Sequence, residues 1–183
     1  MKAKILLTIF FLVLVADGFA QKSETSSLKS IDYYCGQTPP DSIPVKFLPE
    51  ILTSEKHPHG QLAFSSDGKL LIWSAMIAKG PEQTIFFSTC NYKEIARPEI
   101  APFASGSGNG GPAFSCDGNR IFFNVELPPM AKSARKPFAI AYVEKSATGW
   151  SNMAIIDVTA DTLITKGQVS VARNGNLYFS GRV

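Results

Sequence analysis

Apolar and polar positions in this chain fall into short blocks, and three of those blocks line up with one another. Residues 59–74, 109–124 and 166–180 each open on a polar residue and a glycine (Gly60, Gly110, Gly167) and run through a brief apolar segment containing Phe64, Phe114 or Val171. Each then reaches Asp67-Gly68, Asp117-Gly118 or Asn174-Gly175 and continues into a second run rich in β-branched and aromatic residues, such as Leu71-Ile72-Trp73 or Ile121-Phe122-Phe123. Runs of this composition, bounded by turn residues, predict strands rather than helices. The Asp-Gly and Asn-Gly steps predict hairpin turns, because glycine takes positive φ freely and the preceding side chain bonds its own backbone. The second runs are apolar at consecutive positions, which predicts strands covered on both faces.

Further strands are predicted between the hairpins. Residues 83–88 form one, and residues 92–95 form a weaker outer strand ahead of a linker at 98–102. The second unit repeats this with residues 138–143 and 150–156, separated by turn residues 146–149. Each unit therefore holds about four strands, and the third breaks off after its second strand. The repeat glycines are spaced by 50 and then 57 residues, a period that belongs to propellers and solenoids. The predicted fold class is all-β: a partial β-propeller of four-stranded antiparallel blades, about two and a half of them, in units starting near residues 59, 109 and 166.

The phrases Ala63-Phe-Ser-Ser-Asp-Gly-Lys69 and Ala113-Phe-Ser-Cys-Asp-Gly-Asn119, each leading into an aromatic strand, resemble the TolB-like, WD-repeat-like β-propeller repeat. Residues 33–40 are similar to the lead-in of exported bacterial members. The resemblance covers roughly residues 31–183. It departs at the turn proline, replaced by Ser66, Cys116 and Arg173, and at Asn174, which stands for the usual aspartate. It implies about six blades in a complete ring. On that basis the chain is expected to be a fragment, or, if naturally this short, to complete a ring by oligomerising, since an open last hairpin leaves an unpaired edge.

The N-terminus changes the setting. Lys2 and Lys4 precede an apolar run at residues 5–15, and Gly18 and Ala20 follow at the positions a signal peptidase reads, so residues 1–20 are expected to be a signal peptide. The run is too short for a span of about 20 apolar residues. Residues 21–58 then form an N-terminal lead-in, partly disordered, and export places the protein in the periplasm or outside the cell. Removal of the signal lowers the net charge from +3 to about +2. Neither the clustered basic surface of a nucleic-acid binder nor a polybasic membrane patch is present, and the most basic stretch, Lys132, Arg135 and Lys136, reads as a solvated loop. Cys35, Cys90 and Cys116 allow one disulfide and one free thiol in an oxidising compartment, with the pairing open. None has zinc-ligand spacing.

Candidate chemistry is sparse. Gly106 to Gly111 spells G-x-G-x-x-G, but Pro112 and a hairpin follow where a phosphate site needs a helix N-terminus. His57 and His59 are the only histidines, and no serine sits in a G-x-S-x-G elbow beside them. No catalytic residue, metal site or cofactor is assigned. Asp67 and Asp117 read as turn formers, and Trp73, Phe123 and Phe179 as core between units. His59, Asn109 and Lys166 precede the repeat glycine in all three units. They read either as ligand-binding residues at the mouth of a propeller channel or as ordinary turn residues. The expected function is a non-enzymatic binding or interaction module with a protein or glycan partner. The alternative is the propeller part of a peptidase or glycan-processing hydrolase whose catalytic part lies outside this chain.

Overall fold

A computed structural model describes residues 34–52, 58–77, 83–91, 93–104, 108–128, 137–156 and 165–182. The expected signal peptide, His57 and the Lys132, Arg135, Lys136 stretch lie outside these residues. Among the described residues every regular element is a strand. β1 (Leu62–Phe64), β2 (Leu70–Met76), β3 (Gln83–Thr89) and β4 (Glu99–Ile100) form one antiparallel sheet in chain order. β5 (Asn109–Phe114), β6 (Arg120–Glu126) and β7 (Phe138–Ser146) form a second, with β8 (Gly149–Trp150) and β9 (Ala154–Ile155) both pairing with β7. β10 (Thr165–Val171) and β11 (Leu177–Arg182) form a two-stranded third sheet.

The three predicted hairpins are present and pair alike beside their turns, the third turn being one residue shorter than the other two. Phe64, Phe114 and Val171 stand opposite Leu71, Ile121 and Leu177, and Leu62 and Val169 stand opposite Trp73 and Phe179. Gly68, Gly118 and Gly175 take φ of 69°, 71° and 84°, the left-handed turn region in which a Cβ is strained. Asp67 accepts from the Ser65 hydroxyl at 2.6 Å and the Lys69 amide at 3.1 Å. Asp117 repeats the pattern with Ser115 and Asn119, and Asn174 accepts from the Asn176 amide. The turn-forming role expected of these aspartates thus has its bonds. At the other end of the hairpins the glycines make room for the neighbouring strand. A Cβ on Gly167 would strike the Ser180 hydroxyl, and one on Gly111 would lie 2.8 Å from Asn124 Oδ1. The second hairpin absorbs its extra glycine in a bulge between Gly110 and Ala113.

One element differs from expectation. Ile95 makes only a single bridge, to Cys90, and the fourth strand of the first sheet is Glu99–Ile100, inside the segment expected to be a linker. Pro98 has no N–H to donate, so it opens that strand without costing a ladder bond. The Ala101 amide then bonds the Ile85 carbonyl at 2.9 Å, and Ala101 and Phe103 are buried between sheets.

The sheets pack face to face in chain order. Leu71, Trp73 and Ala75 pack with Cys35 and Leu48 of the lead-in, whose described part covers the outer face of the first sheet. Ile72 and Ile85 on the opposite face meet Ile121, Phe123 and Val125 of the second sheet. Phe122 and Ile140, on that sheet's far face, meet Val169, with Val171, Leu177 and Phe179 against them. Trp73, Phe123 and Phe179 therefore each face the preceding layer, as core. The dense apolar runs are explained, because β2 and β6 are covered on both sides. Cys35 and Cys90 form the disulfide, with Cα atoms 5.2 Å apart, and Cys116 is free and exposed.

Candidate functional site

Two polar regions lie at the two ends of the hairpins' first strands. At the end where those strands begin, Gln61 donates its side-chain amide to the carbonyls of Pro112 at 2.9 Å and Val169 at 3.2 Å. One side chain of the first hairpin thereby holds the first strands of the second and third. Beside it, the fully buried Ser74 hydroxyl donates to the His59 carbonyl at 2.9 Å and accepts from the Gln83 amide at 2.8 Å and the Gly111 N–H at 3.4 Å. Gln83 also reaches the His59 carbonyl at 3.2 Å and lies against Gly110, where a Cβ would stand 2.8 Å from its Nε2.

The residues marked in the sequence sit in this region. His59 is exposed, with its backbone bonded to Ser74, while Asn109 is only 2% exposed at the start of β5. Gln83 bridges their neighbourhoods. Lys166 lies in β10 opposite Gly181. Of the G-x-G-x-x-G match, residues 106–107 lie outside the described residues, and the remainder leads into β5.

At the turn end, an open cavity of about 670 Å³ lies between the turns of the second and third hairpins. Asp117, Arg120, Glu144, Lys145, Arg173 and Asn174 line it. Arg120 grips Glu144 through Nε at 2.8 Å and through a second nitrogen at 2.6 Å, and its guanidinium lies 5.4 Å over the Tyr142 ring. Both side chains of the pair are about half exposed, so the contact orients them more than it stabilises the fold. Cys116 donates its thiol to the Ala172 carbonyl at 3.3 Å, tying the second turn to the third.

The electrostatics of the cavity follow from its turns. The Ser115 hydroxyl, then the Asn119 amide, lowers the Asp117 carboxyl to about 2. Asp67, at the corresponding place in the first hairpin, is lowered chiefly by the Ser65 hydroxyl. A carboxyl so acidic stays ionised at neutral pH and is a poor proton carrier, since general acid–base catalysis works best near the operating pH. Glu144, the other carboxylate in the lining, is engaged by Arg120. The cavity presents fixed acceptors, cations and amides, an arrangement suited to holding polar groups. The nearest sequence signal was the cluster of Asp117, Arg120 and Arg173 around two turns. Glu144 and Lys145 are added only when β7 pairs with β6, which placed them beyond the reach of local pattern.

No protein family, curated protein or solved structure matches this chain in sequence or fold.

Proposed function

We propose that this chain is an exported, non-enzymatic binding module, its sheets arranged as blades of a TolB-like β-propeller, which takes polar groups of a protein or glycan partner in the turn-side cavity. The observation that carries the reading is Asp117, a carboxylate held ionised by the Ser115 and Asn119 bonds in the wall of an open, charge-lined cavity. That group is built to accept hydrogen bonds rather than to move protons. The blade arrangement is supported by a four-stranded meander, a five-stranded sheet and a two-stranded hairpin stacked face to face, and by Gln61, which reaches both following units. Export is supported by the N-terminal sequence and by the Cys35–Cys90 disulfide, since such bonds persist in oxidising compartments. The turn-side cavity is preferred to the His59, Asn109 and Lys166 end because Asn109 is buried there.

The test is amide-shift mapping by NMR as residues 21–183 are titrated with a panel of defined oligosaccharides and charged peptides. Saturable shifts confined to residues 115–120, 144–145 and 173–176, lost in Arg173→Ala, are expected. Saturable shifts elsewhere, no saturable ligand, or cleavage of a panel member would overturn the proposal.

A further inference from the structure

A second cleft, of about 330 Å³, lies where the outer parts of the first two sheets meet, and it shares no lining residue with the turn-side cavity. Pro102 and Phe103, from the segment that leaves β4, form one wall, and residues 148–153, which carry β8, form the other. Both walls are bounded in sequence by described strands, β4 and β5 on one side and β7 and β9 on the other. The floor is aromatic and fixed. Trp150 meets Phe103 edge to face at 5.9 Å, and Phe103 lies 5.5 Å from the fully buried Phe123. Phe103 is 8% exposed, whereas Trp150 is half-buried, so one ring is anchored between the sheets and the other reaches the surface. Met153, 37% exposed, adds an adaptable apolar side chain. Beside Gly149 a Cβ would meet no heavy atom within 4 Å, so the cleft is open there.

The polar groups of the cleft define what it can take. No lining residue carries a charge. A charged group entering it would lose water without gaining a partner, so the fitting ligand is neutral. The Ser151 hydroxyl accepts from the Glu144 amide at 3.0 Å and donates to the Asn152 carbonyl at 2.8 Å, and the Thr148 hydroxyl lies 3.5 Å from that of Ser146. By contrast, the Trp150 indole N–H and the Asn152 carboxamide have no hydrogen-bond partner among the described residues, and the indole N–H is not closed off from solvent. The indole is a donor only, and the carboxamide carries two donors. The unspent groups are thus mainly donors beside an aromatic surface. Proline answers each feature, with an apolar ring, no N–H and, in the polyproline II helix, a carbonyl that bonds nothing within its own chain. A sugar ring brings hydroxyl donors along with its acceptors, and two acceptors of the cleft, the Ser151 hydroxyl and the Asn152 carbonyl, are already taken.

We propose that this cleft docks a neutral, proline-rich segment of another protein in the polyproline II conformation. Its rings lie on Trp150, between Pro102 and Met153, and its carbonyls accept from the Trp150 indole N–H and the Asn152 carboxamide. Segments of this kind suit aromatic-lined grooves because their helix is preformed and little chain entropy is lost on binding. The site is additional to the turn-side cavity, and the two fill independently.

The probe is decaproline with both ends blocked, titrated into the full chain while the tryptophan indole N–H resonances are followed by NMR. Trp73 and Trp150 are the only tryptophans, and Trp73, with no exposed surface, is the internal reference. The expected result is a saturable shift of the Trp150 indole N–H and of the amides of Phe103 and residues 148–153, with the Trp73 resonance unmoved. A blocked Gly-Ser peptide of equal length should leave both tryptophans unmoved. Trp150→Phe keeps a ring against Phe103 but removes the donor, and should weaken decaproline binding at least tenfold. Asn152→Ala removes a side chain that bonds nothing else and should weaken it at least threefold. An unmoved Trp73 resonance will show that the Asn152 variant is folded. Four results would overturn the proposal: no shift of the Trp150 indole with decaproline, equal binding of the Gly-Ser peptide, binding undiminished in both variants, or a saturable Trp150 shift with a neutral oligosaccharide in place of the proline peptide, which would make the occupant a sugar.

Discussion

Replacing Cys35 and Cys90 by alanine tests how the lead-in is held on the first sheet. The bridge spans 55 residues of sequence. The loop-entropy relation for a loop of that length gives about 4 kcal/mol of stabilisation through the unfolded chain, against a total of roughly 5–15 kcal/mol for a domain. With a urea slope of about 2 kcal/mol per molar, the unfolding midpoint should fall by about 2 M. The same change carries a spectroscopic signature. Trp73 has no exposed surface, stacks on Phe86 at 6.0 Å and shares a cluster with Cys35 and Leu48, whereas Trp150, the only other tryptophan, is half-buried against Phe103. Loosening the lead-in wets the Trp73 ring and shifts its emission to the red well before global unfolding. The packing of Phe123 in the next interface stays intact, and its amide should remain protected. The reasoning is refuted if the double alanine variant unfolds within about 0.5 M urea of the parent and shows the parent's emission maximum.

Phe123→Ala removes a fully buried ring that lies 5.5 Å from Phe103, and should cost about 3–5 kcal/mol in urea unfolding. A loss below about 1 kcal/mol would contradict its place between the first two sheets. Gly36→Ala should weaken lead-in docking as the disulfide variant does, because Gly36 has φ of 86° and a Cβ there would strike the Lys93 carbonyl; red-shifted Trp73 emission with the disulfide still formed checks it. For Asp117 the folded carboxyl lies below its unfolded value, so its contribution is present above about pH 4 and is lost as pH falls through about 2. Carboxyl carbon shifts should titrate with a midpoint near 2, and Asp117→Asn should remove that step while keeping the turn, as Asn174 does in the third hairpin. A midpoint near 4 would mean that the Ser115 bond does not form in solution.

The hairpins were legible because their information is local. Asp-Gly and Asn-Gly fix the turn, and the aromatic runs that follow fix strands; β2 and β6 are buried on both sides as expected, whereas β11, with Tyr178 exposed, is covered on one. The fourth strand of the first sheet was not legible, since Glu99–Ile100 is two exposed residues whose strand state comes from β3 alongside and from Ala101 and Phe103 anchoring the segment between sheets. Propensity near Pro98 argued against a strand, and tertiary pairing outweighed it. The disulfide was open for the same reason. Only the docking of the lead-in on the face of Trp73 brings Cys35 to Cys90. The polar hub was half visible. Repetition pointed to the residues before each glycine. Of the residues that make the bonds between layers, Gln61 and Ser74 recur in the third hairpin as Gln168 and Ser180 but stand as Gly111 and Asn124 in the second, and Gln83 lies in β3, outside the aligned segments, so no signal was shared by all three.

The account depends on three hairpins whose first strands meet at one place, with Gln61 in contact with both of the others. Nuclear Overhauser effects from the Gln61 side-chain amide protons measure this directly. Cross-peaks to both Pro112 and Val169, residues 51 and 108 positions away, are the predicted result. Cross-peaks to Pro112 alone, with the first and third hairpins held apart by the second, would contradict it.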